Sequence, residues 1–408
     1  MMNWMRDTVL TLPRFLSTFL VLFALIFIKI FHKLWWTPTR IQKYMASQGI
    51  SGPSYRLIHG NNKEISNMLE EARSKPIRNL SHDVLSAVQP HIHSWTKTYG
   101  KNFLQWQGLQ PVLFITEPEL CKEILINKDR VYTKKKPNIY SKKLFGDGIS
   151  VAEDCLKNMI PDMIASSETM LEGWKKHEGK EIEVYEQFRL FTSEVISRTA
   201  FGSCYLEGKN MFDMLMKLSS IIFRNSHKLR VPGISKVYKP SDEKESDKLE
   251  KGIWDSIIKI RISLNELVEE CKTFYFAGQR PLTLCLFGLS FFCPSIPIGK
   301  RKREGGGVLQ LFEEETPNPG GLAKLKTMSM IMNESLRLYP PAVLLLRKVD
   351  KEVRLGNLIV PANVQLHIPT LALHHEPQFW GQDVKLFKPE RFFEVRPQHG
   401  LQVILHSL

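Results

Sequence analysis

The sequence is poor in usable cysteine. Its six cysteines, Cys121, Cys155, Cys204, Cys271, Cys285 and Cys293, are scattered through 408 residues, and no two form a CxxC pair. That spacing indicates neither a zinc site nor a disulfide scaffold and makes a reducing compartment the default. No cysteine follows Cys293, and no internal repeat is present. Acidic residues are also scarce: 42 Asp and Glu against 56 Lys and Arg leave a formal charge of +14. An excess of that size suits a nucleic acid, an anionic membrane surface or an acidic partner, and does not choose among them. The 43% hydrophobic residues suffice for a large core.

Charge is missing altogether from "FLSTFLVLFALIFI", Phe15 to Ile28, and the apolar character extends from Val9 to Phe31 around Arg14 and Lys29. A spanning helix needs ~20 apolar residues, and Arg or Lys at its ends can snorkel. Lys29, Lys33 and Arg40 come next, with Trp35 and Trp36 where interfacial aromatics sit. No small-residue cleavage site precedes those tryptophans, so residues 1–36 read as an uncleaved anchor that leaves the bulk of the chain cytosolic. Residues 37–60, with "SQGISGPSYRLIHGN", have the Gly, Pro and polar composition of a stiff hinge.

Beyond the hinge the body is mainly helical in pattern, with a smaller sheet contributed from both ends. In "FLQWQGLQPVLFITEPELCKEIL" two short apolar runs flank Gly108 to Pro111, the pattern of a hairpin. Thr116 is expected to open a helix with Glu119 completing a capping box. Asp154 to Met216 is helical in pattern, and "SDEKESDKLEKG", Ser241 to Gly252, reads as a solvated charged face or loop. Gly321 to Tyr339 predicts an amphipathic helix with Leu322, Leu325, Met328, Met332, Leu336 and Tyr339 on one stripe. "EVRLGNLIVP" and "VQLHIPTLALH" alternate like strands. The run from Ala277 through "PLTLCLFGLSFFCPSIPIGKRKREGGG" fits neither pattern, and exposed it would be an aggregation site.

The informative motif is "MNESLRLYPP". Glu334 and Arg337 share one side of an apolar helix. Exposed, such a pair contributes little; buried, it needs further partners to offset desolvation. Arg391 in "FKPERF" supplies a third member, and the guanidinium fork suits a multiply bonded network. His374 and His375 are adjacent, do not share a helix face, and read as structural. "KRKR", Lys300 to Arg303, is a solvated basic loop, so no nucleic acid is expected.

With those residues in view, the chain resembles a cytochrome P450, a haem-thiolate monooxygenase, of the plant clan that includes secologanin synthase and brassinosteroid-inactivating hydroxylases. The likeness rests on "QGISGPSYRLIHGN", "KTFYFAGQ", "MNESLRLYPP", "LALHHEPQFWG" and "FKPERF". It implies that residues 61–392 form an incomplete domain of that fold, with 393–408 a tail outside the pattern. It further implies a structural role for Glu334, Arg337 and Arg391 beneath a haem, and Arg347 on a haem propionate. Val343, Leu344, Leu345 and Leu346 would border the substrate pocket, and Ala277 and Gly278 would lie above the iron. The implied partners are the endoplasmic reticulum membrane, NADPH-cytochrome P450 reductase and a lipophilic small molecule.

Several departures are equally plain. Gln279 is followed by Arg280 and Pro281, where the family continues with an acidic residue and a threonine that relay protons. The Trp–Arg motif expected after "GDGISVAE" is missing, and the segment between Trp254 and Leu267 is shortened. The family's cysteine loop after PERF has no counterpart, so no axial cysteine is identified. His399 and His406 are the remaining metal-ligand candidates, more readily read as tail histidines. Since the thiolate drives O–O cleavage, these residues are not expected to hydroxylate anything alone. A non-catalytic, membrane-anchored remnant or the product of a faulty gene model is the alternative.

Overall fold

The computed structural model describes residues 18–75, 82, 84–127, 130–134, 160–201, 213–214, 216–221, 241–259, 283, 286 and 325–393. The backbone divides into two units. The first comprises Met1–Pro76, Ser86–Lys135 and Leu346–Ile368, and the second Ile77–Leu85, Lys136–Leu345 and Pro369–Leu408.

The first unit begins with α1, Thr18–Ala46, whose apolar part has a mean hydropathy of 1.8 and is not buried in the protein. Among the described residues it is the one helix long and apolar enough to cross a membrane. A π-helical turn, His32–Trp36, interrupts it where Pro38 withholds a backbone donor from Leu34. Helices α2, Asn62–Ser74, and α3, Pro90–Tyr99, precede the hairpin β1, Phe103–Gln107, and β2, Gln110–Phe114. Gly108, at φ +61°, makes the expected turn between them. After α4, Pro118–Ile126, and β3, Tyr132–Lys134, the unit resumes with β4, Leu345–Val349, the hairpin β5, Val353–Leu355, and β6, Leu358–Val360, and then β7, Gln365–Ile368. The main sheet has the order β1-β2-β7-β4-β3, with β2 and β7 parallel, so both ends of the chain contribute to it. Every residue of β7 is buried, as a strand covered on both faces requires. Phe103 and Phe114 stack at 4.8 Å over a core that includes Trp106, Leu113 and Leu366.

The second unit contains α5, Ile160–Lys175, α6, Val184–Phe201, α7, Ser241–Lys259, and α8, Lys326–Leu338. Beyond it lie α9, Thr370–His374, α10, Pro377–Trp380, and a 3-10 turn at Pro389–Phe392. The charged run from Ser241 lies in α7, which buries Ser246 and Ile253.

Three local expectations are corrected. Thr116 is no helix cap: its hydroxyl donates to the Lys101 carbonyl at 2.6 Å, and Glu117 takes the N-cap position. Pro118 holds Glu117 extended and so starts the helix beyond Thr116. "VQLHIPTLALH" is only half strand, because Pro369 ends β7 and α9 comes directly after it. The apolar stripe assigned to α8 is not its buried face. Met328 and Met332 are exposed, whereas Met330, Glu334, Ser335, Arg337 and Leu338 are buried.

Candidate functional site

The buried face of α8 is built around a charge. Glu334 is fully buried and Arg337 is 2% exposed. A bidentate pair joins them: Arg337 Nε donates to Glu334 Oε2 at 2.7 Å and Nη2 to Oε1 at 2.8 Å. The i,i+3 spacing on one helix allows this fork geometry without distorting either residue. A second donor reaches Glu334 Oε1 from the Lys388 backbone N–H at 2.9 Å. Arg337 Nη1 donates to the His374 carbonyl at 2.8 Å, and the guanidinium lies 5.2 Å from the centre of the Trp380 ring. Both ions therefore have the surroundings that a buried pair needs.

Arg391 belongs to the same cluster, less directly than its sequence position suggests. Its Nε stands 3.5 Å from Glu334 Oε1. Its two Nη groups donate to the Trp380 carbonyl at 2.7 Å and the Asp383 carbonyl at 2.6 Å, and Nη2 also meets Asp383 Oδ1 at 2.7 Å. Arg391 thus closes the loop Trp380–Asp383 against the 3-10 turn. Hydrogen bonds from Lys388 and Arg391 hold the Asp383 carboxyl down at about 2.

Two histidines complete the arrangement. His374 Nδ1 donates to the Arg337 carbonyl at 3.1 Å, and His375 Nε2 donates to the Leu338 carbonyl at 3.0 Å. A carbonyl only accepts, so each of these ring nitrogens carries a proton. The pair thus satisfies carbonyls at the end of α8 that lack helical donors. Burial, reinforced by the Arg337 cation, lowers the His374 pKa to about 4, so the ring is neutral at ordinary pH. On another side, His82 Nδ1 and the Tyr339 hydroxyl are 2.9 Å apart. Burial and then Arg337 lower the His82 pKa, while Glu334 opposes them.

The other sequence-derived candidates are not members of this hydrogen-bond network or lie outside the described residues. Arg347 lies in β4 opposite Lys134 of β3, half-buried, with Nη1 donating to the Leu346 carbonyl at 3.0 Å. It forms no ion pair among the described residues. Burial lowers its pKa from the usual arginine value. Val343, Leu344, Leu345 and Leu346 are each partly exposed. Ala277, Gly278, His399 and His406 lie outside the described residues. Cys121, the cysteine among the described residues, is buried, and its thiol is pushed up to about 12 by burial, with Glu117 and Glu119 adding to the shift. It is not a thiolate. Also among the described residues, no group of three His, Cys, Asp or Glu side chains is placed to hold a metal ion.

Sequence reasoning found Glu334, Arg337 and Arg391 and missed what surrounds them. The Lys388 N–H and the His374 carbonyl are backbone groups, which residue identity does not announce. Trp380 and Asp383 did carry a signal, as an aromatic and an acid shortly before the PERF arginine.

Comparison with known proteins places the chain by its sequence. The cytochrome P450 family model matches residues 84–281 and 307–402, and leaves unmatched the stretch 282–306. Cytochrome P450 CYP749A22 of Panax ginseng is 44% identical over 430 positions, which cover 92% of this chain and 82% of that protein. That alignment is longer than the 408 residues here, so the ginseng protein contains internal segments that this chain lacks. Cytochrome P450 734A1 of Arabidopsis thaliana is 31% identical, with 93% of this chain and 82% of that one covered. A cytokinin hydroxylase of the same plant is 31% identical over 87% of this chain and 79% of its own length. A buried Glu–Arg pair joined to a PERF turn, within a sequence matched over most of its length, has one family explanation: the chain belongs to the cytochrome P450 family.

Proposed function

We propose that the chemistry belonging to this chain is haem-dependent hydroxylation of a lipophilic small molecule. The chain would be anchored by α1 in the endoplasmic reticulum membrane, its body cytosolic, with electrons supplied by NADPH-cytochrome P450 reductase. The family match carries this reading, and the relative named as a cytokinin hydroxylase supports the reaction type. The excess of basic residues suits an acidic reductase surface.

A thiolate-ligated haem, when bound, supplies oxygen activation. Arg347 suits one edge of such a group. Its half-buried guanidinium, with only a neighbouring carbonyl as hydrogen-bond partner among the described residues, can receive a propionate carboxylate. Glu334, Arg337 and Arg391 would form the rigid floor, and Val343 to Leu346 the rim of the substrate pocket. Among the described residues no axial thiolate is found, since Cys121 is a buried neutral thiol.

A second reading, a membrane-anchored and non-catalytic relative, is favoured by the unmatched stretch 282–306 and the segments missing relative to the ginseng protein. One experiment separates the two. Residues 1–408 are produced in microsomes with added haem, and the carbon monoxide difference spectrum is recorded after reduction. The first reading requires a thiolate-type Soret band with turnover of a lipophilic probe, and that result would exclude the second. A folded chain without the band would overturn the first reading and leave the second.

A further inference from the structure

Where α5 turns into α6, the second unit carries a cleft that shares no residue with the Glu334 network. Its volume is about 280 Å³. That is just below the ~300–1,000 Å³ of typical ligand pockets, so its size suits a small molecule. The polar lining comes from Trp174, His177, Glu181, Glu183 and Gln187. α5 ends at Lys175, residues 176–179 form the turn, and α6 begins at Val184. Gly179, at φ +76°, allows the chain to reverse there.

Each lining group has a distinct state. The Trp174 ring packs at 5.7 Å against Phe188 of α6, which is buried, and this fixes the indole. Its Nε1 is shielded from solvent and has no hydrogen-bond partner among the described residues. A buried N–H in that state calls for an acceptor. His177 Nδ1 donates to the Gly173 carbonyl at 3.0 Å, which leaves Nε2 of the neutral ring as an acceptor. Glu183 caps α6: its carboxylate accepts from the Tyr185 N–H at 3.2 Å and from the Glu186 N–H. Glu181 is uncommitted. It is exposed and makes no hydrogen bond or ion pair among the described residues. Lys175, Lys176 and Lys180 are exposed nearby, but none of them lines the cleft. The lining thus combines two carboxylates with one unpaired donor and contains no lysine or arginine.

We propose that this cleft binds a small organic cation that also carries a hydrogen-bond acceptor, an amino alcohol in chemical class. Glu181 holds the ammonium group through a charge-assisted hydrogen bond, and Trp174 Nε1 donates to the oxygen. Glu183 adds negative charge beside the site while its oxygens stay on the helix end. The proposal is independent of the haem reading.

The test uses the full 408-residue chain, labelled with fluorotryptophan, in detergent micelles. The Trp174 resonance, identified by its loss in Trp174→Phe, is followed by fluorine NMR at neutral pH. Propanolamine is expected to shift it saturably at millimolar concentrations, with sodium chloride of equal ionic strength as the blank. Propanediol, uncharged and of similar shape, is expected to leave it in place. Propylamine, which lacks the oxygen, is expected to bind several-fold more weakly. Glu181→Gln is expected to weaken propanolamine about tenfold. Glu178→Gln, an exposed acid on the same turn that does not line the cleft, is expected to change nothing. A shift of equal size with propanediol overturns the cation assignment. Propylamine binding as tightly as propanolamine overturns the role of the indole N–H. Equal weakening by Glu178→Gln assigns the effect to overall charge and overturns the role of Glu181. No saturable shift with any probe, in a chain that is helical by circular dichroism, leaves the cleft to water and overturns the proposal.

Discussion

Glu334 and Arg337 in α8 lie 2.7 Å apart, and so do Glu71 and Lys75 at the end of α2. Both pairs join positions on neighbouring helical turns, yet their surroundings are opposite. The first pair has side-chain exposures of 0% and 1%, the second 66% and 70%. Water already solvates Glu71 and Lys75, so their attraction is screened and little is lost when it breaks. Glu334 and Arg337 have given up water and depend on each other, the Lys388 N–H and the His374 carbonyl. Distance alone therefore says nothing about energetic weight. What matters is whether a partner's removal leaves a charge without water.

The strongest way to break the comparison is to strand one ion. Arg337→Ala leaves Glu334 buried and uncompensated, and should lower stability by about 3–5 kcal/mol. Thermal unfolding in detergent micelles checks this, with complete failure to fold as the extreme outcome. Acid should produce a related loss through His374. The folded pKa of about 4 lies below the ordinary 6.5. Between those values the unfolded chain binds a proton that the folded one does not. Stability therefore falls as pH drops from about 6.5 to about 4, by on the order of 3 kcal/mol, and this contribution is flat below that. His374→Gln should flatten the urea-unfolding profile across that window. Asp383 acts later: its depressed pKa adds a loss only as pH falls from about 3.8 toward about 2.

Arg337→Lys sharpens the comparison further, because it keeps the charge and removes the fork. A loss of about 2 kcal/mol is expected from the unmade bonds to Glu334 and His374. At the other end, Lys75→Ala should leave the melting temperature unchanged within error. A large effect there would contradict the distinction drawn between the pairs.

The two cases also explain what the sequence could announce. Glu334 and Arg337 were legible as a pair because two charges on an apolar helix demand a third group, and Arg391 could be found. The hairpin of β1 and β2 was legible from Gly108 between two apolar runs. The buried face of α8 was not. Apolar periodicity assumes that burial follows apolarity, and in α8 a satisfied charge network turns Met328 and Met332 outward instead. Pairing of β3 with β4 was hidden for a different reason, since Thr133 and Lys348 are far apart in sequence and neither strand has a local turn to announce it. The N-cap at Glu117 was misplaced because Thr116 has the side chain of a cap while Pro118 fixes the geometry.

The most direct test of the account is hydrogen exchange at the α8 amides from Met330 to Leu338, compared among wild type, Arg337→Lys and Lys75→Ala. The account predicts slow exchange in wild type and Lys75→Ala, and markedly faster exchange in Arg337→Lys, because the bonds that hold the helix in place have been lost. Equally slow exchange in all three would show that the buried network does not hold the helix, and would contradict the account at its centre.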